Sequence, residues 1–230
     1  MTNLIKRNAR RAARVLALGF AGAMLASCTP VHVDLGSIPP PSKATSVSAP
    51  RNAPAISIAR PTGPGPNTAI GAYDNGQIPI IVNTDPSLWV ANALANRLQQ
   101  AGYRVERIET LASAETPIAL TIDVKEVSCN RMGAFVWNEF HTRVIAQIRV
   151  FKTGSIVLQR TYAGTWIGSK EPDKYELGVW AENNLNEALT NFLNQAVPDL
   201  TAFLARADQT ASGAPAGTQS QSASISPNRP

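Results

Sequence analysis

A regular alternation of apolar and polar residues along the middle of the chain constrains the fold more than any other feature. Ile118–Lys125 alternates in this way, and Phe140–Val150 does so over a longer stretch. A period of two places successive side chains on opposite faces of a β-strand, so both segments predict strands with one buried and one solvated face. Lys152–Ser155 predicts a hairpin turn that leads into a returning strand, Ile156–Trp166.

Two segments with a helical period flank these strands. The first begins at Asp85 and Pro86, an N-cap acceptor followed by proline at the first helical position, and ends at Gly102, where a left-handed cap is expected. The second begins at Asp173–Glu176, which resembles a capping box, and Pro198 is expected to kink or break it. Each helix carries an apolar stripe that predicts burial of one side.

Shorter strands are predicted at Ala55–Ala59, Ile78–Val82 and Tyr103–Ile108, with a Gly/Pro-rich loop between the first two. The order of the elements is strand, helix, strand, antiparallel strands and helix. This order predicts an α+β fold, with a mostly antiparallel sheet and two helices packed on one of its faces.

The N-terminal segment has the composition of a secretory signal. Basic residues without any acidic residue precede a short apolar run from Val15 to Ala26. A transmembrane helix needs about 20 apolar residues, so this run is too short to span a bilayer and is typical of a signal peptide. The basic residues are Lys6, Arg7, Arg10, Arg11 and Arg14.

The formal net charge of +5 comes entirely from that segment. The whole chain has 21 Lys and Arg residues against 16 Asp and Glu residues, so the part that follows the signal is neutral. A neutral chain without a basic run after Arg14 does not predict binding to nucleic acid.

Composition divides the chain into four parts. Residues 1–27 are the predicted signal peptide, and 28–54, rich in Pro, Ser and Ala, predict a disordered tether. The folded α+β domain is predicted over 55–206. Residues 207–230, rich in Ser, Ala, Gly and Gln, predict a disordered tail.

The sequence contains no convincing catalytic set, so the chain is predicted not to be an enzyme and to bind no cofactor or metal. It has no nucleophile elbow and no phosphate loop, and its two histidines, His32 and His141, lack further ligands at metal-binding spacing. Asp123, Glu126 and Glu139 could form an acid–base set, but charges on the solvated side of a sheet are the favoured interpretation.

The run Leu25–Cys28 resembles the lipobox of bacterial lipoproteins, in which a branched apolar residue and two small residues precede a cysteine. The resemblance implies that Cys28 carries fatty acyl chains such as palmitate and that residues 1–27 are removed. Thr29, rather than Asp, follows the cysteine. By the same resemblance, the chain is expected in the outer membrane, lipid-anchored and facing the periplasm.

Cys129 is then the only remaining thiol, and an intramolecular disulfide is impossible. It is either a buried small hydrophobe, which we favour, or a free thiol in an oxidising compartment.

Three adjacent residues in the predicted loop between two strands are the candidate partner-binding site. They are Phe135, Val136 and Trp137. Apolar residues at a loop tip mark a partner surface in some proteins, and in others they fold back over the end of the core. Both interpretations are open at this point.

Several features in order resemble the YajG family of bacterial lipoproteins. They are the lipobox, the strand Ile56–Ala59, the helix ending in Leu98–Val105, the strand Ala119–Val124 and the long terminal helix. The resemblance implies a non-enzymatic envelope lipoprotein whose small α+β domain binds another envelope protein. The tether, the helix-then-strand order and the C-terminal helix also resemble auxiliary lipoproteins of ABC-type lipid transport systems, which is the alternative function.

Overall fold

The computed structural model describes residues 29–36, 53–73, 78–132, 139–168 and 176–212. Within these ranges the chain forms a five-stranded sheet, a three-stranded sheet and two α-helices, which confirms the predicted α+β class. The elements are β1 (Val31–Val33), β2 (Ile56–Ala59), β3 (Thr68–Tyr73), β4 (Ile78–Val82), α1 (Pro86–Gln100), β5 (Val105–Ile108), a 3₁₀ turn (Leu111–Ser113), β6 (Ile118–Met132), β7 (Glu139–Lys152), β8 (Ser155–Gly168) and α2 (Leu177–Ser212).

The five-stranded sheet has the order β5-β2-β6-β7-β8. Its long strands β6, β7 and β8 are antiparallel neighbours, whereas the short strand β2 lies parallel to both β5 and β6. The turn between β7 and β8 has positive φ angles of 49° at Thr153 and 81° at Gly154, as a tight hairpin requires. Strand β6 runs past the predicted end at Lys125 to Met132, across a register shift between Val124 and Glu126.

In the three-stranded sheet, β4 lies between β1, which is parallel to it, and β3, which is antiparallel. Strand β3 follows the predicted Gly/Pro-rich loop, where no strand is predicted, and β1 occupies part of the predicted tether. Val33 and Leu35 are buried in the core. The prediction of a disordered tether is therefore wrong for residues 31–35, because pairing with β4 and burial of apolar side chains order this segment.

The predicted cap of α1 is confirmed. The carboxylate of Asp85 accepts hydrogen bonds from the backbone N–H groups of Ser87 at 2.9 Å and Leu88 at 3.0 Å. Gly102, just beyond the helix, has a φ of 103°, which is the left-handed conformation that the sequence predicts. The chain thereby turns sharply from α1 into β5.

Helix α2 is continuous through Pro198 and ends at Ser212. The expectation that Pro198 breaks the helix is wrong, because buried residues such as Ala196 and Leu200 on both sides hold the helix against the core. This packing outweighs a penalty of about 3 kcal/mol for proline in a helix interior. The helix also includes residues 207–212, which the sequence predicts to be disordered. No helix in the described ranges is long and apolar enough to cross a membrane.

Both helices pack on one face of the five-stranded sheet, as predicted. Along β7, every second side chain from Phe140 to Val150 is at most 1% exposed, which confirms the alternation read from the sequence. The residues of α2 at the core of this contact are also at most 1% exposed. They include Leu185, Leu189, Phe192 and Leu193.

The backbones of β8 and α2 approach so closely at Gly164 that no side chain fits there. A Cβ atom on Gly164 would lie 1.9 Å from the carbonyl oxygen of Ala188 and 2.4 Å from the nitrogen of Phe192. Gly71 of β3 is similar, since its Cβ would lie 1.9 Å from the carbonyl oxygen of Cys129. These are contacts with backbone atoms, which no change of rotamer relieves.

Polar side chains of α2 cover part of β8, an edge strand of the large sheet. Asn191 Nδ2 donates to the carbonyl of Thr165 at 2.8 Å, and Gln195 Nε2 donates to that of Ala163 at 3.0 Å. Unpaired backbone N–H and C=O groups at a sheet edge can pair with a strand of another chain. These hydrogen bonds therefore protect this part of the edge from such pairing.

Asp199 joins α2 to the same strand. Its carboxylate accepts hydrogen bonds from Arg160 Nη1 and from the Tyr162 hydroxyl, each at 2.5 Å. Burial acts to raise the pKa of Asp199, but the hydrogen bonds from Tyr162 and Arg160 outweigh it, and the pKa lies below its usual value. Asp199 is therefore a charged residue whose hydrogen bonds connect α2 to β8.

Candidate binding surface at the end of the sheet

All four residues singled out as sites from the sequence lie outside the described part of the chain. Cys28 precedes the first described residue, and the three apolar loop residues fall within 133–138. Those three are Phe135, Val136 and Trp137. The structure does place the strand ends that carry this loop, because Met132 of β6 pairs with Glu139 of β7. These two strand ends lie at the end of the sheet opposite the β7–β8 hairpin.

An aromatic cluster closes the core at this end. Phe140 is fully buried, and its ring stacks on that of Tyr73 with centroids 5.8 Å apart and an interplanar angle of 7°. Trp180 meets Phe140 edge-on, with centroids 4.2 Å apart and an angle of 72°. The guanidinium of Arg131 lies 5.6 Å from the centroid of Tyr73, within the range of a cation–π contact. The cluster joins β3, β7 and α2.

Three large apolar side chains are exposed beside this cluster. Trp166 and Ile167, near the end of β8, are 38% and 57% exposed, and Val179, in the first turn of α2, is 63% exposed. Gly168, which follows Ile167, pairs with Phe140, so the end of β8 lies next to the cluster. Ile156 and Val157, beside the hairpin, are also exposed, so exposure alone does not distinguish this end; the adjoining ring cluster makes it the candidate contact surface. We refer to Trp166, Ile167, Val179 and the adjacent ring cluster as the aromatic end.

The charged residues considered for acid–base chemistry form local pairs on the strands. His141 Nε2 lies 3.2 Å from Glu139 Oε2, and Glu126 accepts a hydrogen bond of 2.6 Å from a neighbouring serine hydroxyl. Asp123 pairs with Lys125, and that hydrogen bond lowers the pKa of the Asp123 carboxyl. Among the described residues, no group of three or more His, Cys, Asp and Glu side chains is arranged to hold a metal ion.

Cys129 is fully buried, which confirms the small-hydrophobe interpretation. Burial raises the pKa of its thiol to about 11, although a hydrogen bond from the Thr142 hydroxyl partly opposes the shift. Because the thiolate is the reactive form, we expect Cys129 not to react with a thiol reagent at neutral pH until the protein unfolds. The measurement is the rate of reaction with dithionitrobenzoate in a Cys28→Ser variant, with and without guanidinium. Rapid reaction of the folded protein would contradict this.

A cleft of about 370 Å³ lies between α1 and the ends of the parallel strands β2 and β5. Its floor is apolar, and its rim carries Arg60, Arg107 and Glu109. Arg60 lies 3.5 Å from Glu109, and Arg107 donates a hydrogen bond to Asn92. Crevices at the carboxyl ends of parallel strands are common ligand sites. Sequence reasoning missed this cleft because its lining comes from three separate segments.

Neither sequence comparison found a related protein. No protein-family model matches the chain, and no curated protein matches it.

Comparison with solved structures does find similar folds. Protein XCC0632 from Xanthomonas campestris, assigned to family model DUF330, has a TM-score of 0.54 at 12% identity, over 78% of this chain and 99% of that one. Uncharacterised lipoprotein B from Nitrosomonas europaea has a TM-score of 0.42 at 11% identity, over 74% and 94% of the two chains. A minor lipoprotein from Acinetobacter baumannii has a TM-score of 0.42 at 10% identity, over 64% and 93%. At these identities, the similarity to XCC0632 shows a shared fold.

Proposed function

We propose that the chain is a lipid-anchored, periplasm-facing lipoprotein of the outer membrane that acts as a non-enzymatic binding module. The observation that carries this proposal is the lipobox that ends at Cys28, immediately ahead of a folded domain. Each methylene of an acyl chain buried in a bilayer contributes about 0.8 kcal/mol, so two or more chains on one cysteine hold the domain stably at the membrane.

The aromatic end supports the binding role. The side chains of Trp166, Ile167 and Val179 are exposed. Exposure of apolar side chains to water does not stabilise an isolated monomer. The strand ends Met132 and Glu139, which flank the candidate residues in sequence, lie at the same end. We therefore assign the contact between the domain and an envelope component to the aromatic end.

The cleft between α1 and the sheet favours a second candidate, an auxiliary lipoprotein subunit of an ABC-type lipid transport system. Its apolar floor and cationic rim fit a ligand with a hydrocarbon body and an anionic head. In this case the domain would associate stably with a transporter complex.

Crosslinked co-purification of the full-length lipidated protein from cell envelopes tests both candidates, with a Cys28→Ser variant as the control. We expect outer-membrane or wall-linked proteins to be recovered only when Cys28 is present. Recovery of a transporter permease instead would favour the second candidate. The same set of proteins from the Cys28→Ser variant would contradict the proposal, because binding would then not depend on the anchor.

A further inference from the structure

We infer that the aromatic end rests on the same lipid bilayer that holds the acyl chains, with Trp166, Ile167 and Val179 in its interfacial region. This inference rests on the proposed lipidation of Cys28 and names the component that the aromatic end contacts. Its evidence is the path of the chain between Cys28 and the first strand.

The direction of β1 shows where the chain leaves the domain. Strand β1 runs parallel to β4, with Val31 opposite Ile80. Continuing from Val31 toward the N-terminus therefore leads toward the beginning of β4, where Ile78 pairs with Tyr73. Tyr73 is one of the rings of the aromatic cluster. The chain thus enters β1 from the aromatic end.

The first turn of α2 lies against the same strand. A Cβ atom on Gly178 would lie 3.3 Å from the carbonyl oxygen of His32 and 3.9 Å from Val31 Cγ1. The next residue, Val179, is exposed, and Trp180 belongs to the aromatic cluster. The exposed apolar side chain of α2 is therefore a near neighbour of the residue where the chain leaves β1.

The distance available between the domain and the bilayer is short. Only Thr29 and Pro30 separate Cys28 from Val31. Three fully extended steps span at most about 11 Å. A helix with its side chains is about 10–12 Å across, so the gap is no wider than a single helix. The anchor therefore holds the aromatic end beside the bilayer.

The composition of this end suits that contact. Tryptophan and tyrosine are enriched at the interface between membrane and water, where an apolar ring sits at the level of the headgroups. The opposite end of the domain lies far away, because the 14 residues of β7 extend about 45 Å at 3.3 Å per residue. The β7–β8 hairpin therefore projects into the periplasm.

A matched pair of exposed isoleucines on β8 allows a direct test. Ile167, at the aromatic end, is 57% exposed, and Ile156, beside the hairpin, is 54% exposed. A nitroxide label is attached to Ile167→Cys, Val179→Cys or Ile156→Cys in the lipidated full-length protein. Cys129 is buried and does not compete for the label. Each protein is then reconstituted in vesicles of phosphatidylethanolamine and phosphatidylglycerol that contain no other protein.

Collision with oxygen, which partitions into lipid, is compared with collision with a water-soluble nickel chelate. We expect the ratio of oxygen to nickel accessibility to be several-fold higher at positions 167 and 179 than at position 156. Equal ratios at all three positions would overturn the inference. Equal ratios in the vesicles, together with crosslinks from position 167 to a protein in intact cell envelopes, would assign the aromatic end to a protein partner instead.

Two controls distinguish a missing lipid anchor and a disturbed fold from a wrong orientation of the domain. A protein without acyl chains does not float with the vesicles, and that result contradicts the anchor rather than the orientation of the domain. Each labelled variant must also melt at the temperature of the unlabelled protein, which shows that the label has not disturbed the fold.

Discussion

Cys28→Ser is expected to abolish incorporation of palmitate and to remove the chain from the outer-membrane fraction. The acyl chains provide the membrane affinity, at about 0.8 kcal/mol per buried methylene, and a serine hydroxyl replaces the thiol to which they attach. The measurement combines labelling of cells with an alkyne analogue of palmitate and separation of inner and outer membranes by density.

Cys129→Ser is the matched control for that experiment. Cys129 is the other cysteine of the chain and is buried in the core, so its replacement should leave palmitate labelling unchanged. Labelling of the Cys28→Ser variant at the level of the natural sequence would show that lipid is attached elsewhere or not through cysteine.

Gly164→Ala is expected to lower the free energy of unfolding by about 3 kcal/mol, at the upper end of the usual range for overpacking. The new Cβ would lie 1.9 Å from the carbonyl oxygen of Ala188, so β8 and α2 must separate. Separation also weakens the packing of Phe192, whose ring lies edge-on to that of Tyr162. Urea unfolding followed by circular dichroism measures the change.

Gly65→Ala provides the comparison, because a Cβ on Gly65 would meet no atom within 4 Å. We expect its stability to lie within about 0.5 kcal/mol of the unaltered protein, as is usual for surface substitutions. If both variants had the same stability, the close contact between β8 and α2 would not be a constraint on the fold.

The elements that could be predicted from the sequence are those with a local signal. Strand β7 alternates over its whole predicted length, and α1 has both an Asp85–Pro86 start and a glycine stop, so each is specified by neighbouring residues. Strands β1 and β3 carry no such signal. They are short and lie in Pro/Gly-rich segments, and β1 forms only by pairing with β4 about fifty residues away.

Tertiary packing also explains the two errors at the ends of the domain. Pro198 is unfavourable in an isolated helix, but burial of Leu200 and Leu204 keeps α2 continuous past it. Val33 and Leu35 are ordered because their side chains are buried in the core. The local sequence indicates only the intrinsic conformational preference of a segment. The continuity of α2 and the order of residues 31–35 both depend on contacts with distant residues.

The candidate binding surface was only partly accessible from the sequence. The adjacent residues Phe135, Val136 and Trp137 drew attention to one loop, but the cluster beside it comes from three separate elements. Tyr73, Phe140 and Trp180 have no common spacing, and they meet only because β3, β7 and α2 pack against one another. The closeness of this cluster to the anchor likewise depends on β1, which the sequence does not predict.

The most direct test of the account is the mass of the N-terminal peptide of the protein isolated from membranes. The account predicts a peptide that begins at Cys28 and carries the added mass of fatty acyl chains, with residues 1–27 absent. A peptide that begins upstream of Cys28, or a Cys28 with a free thiol, would contradict the lipid anchor. The orientation of the aromatic end toward the bilayer would then lose its basis as well.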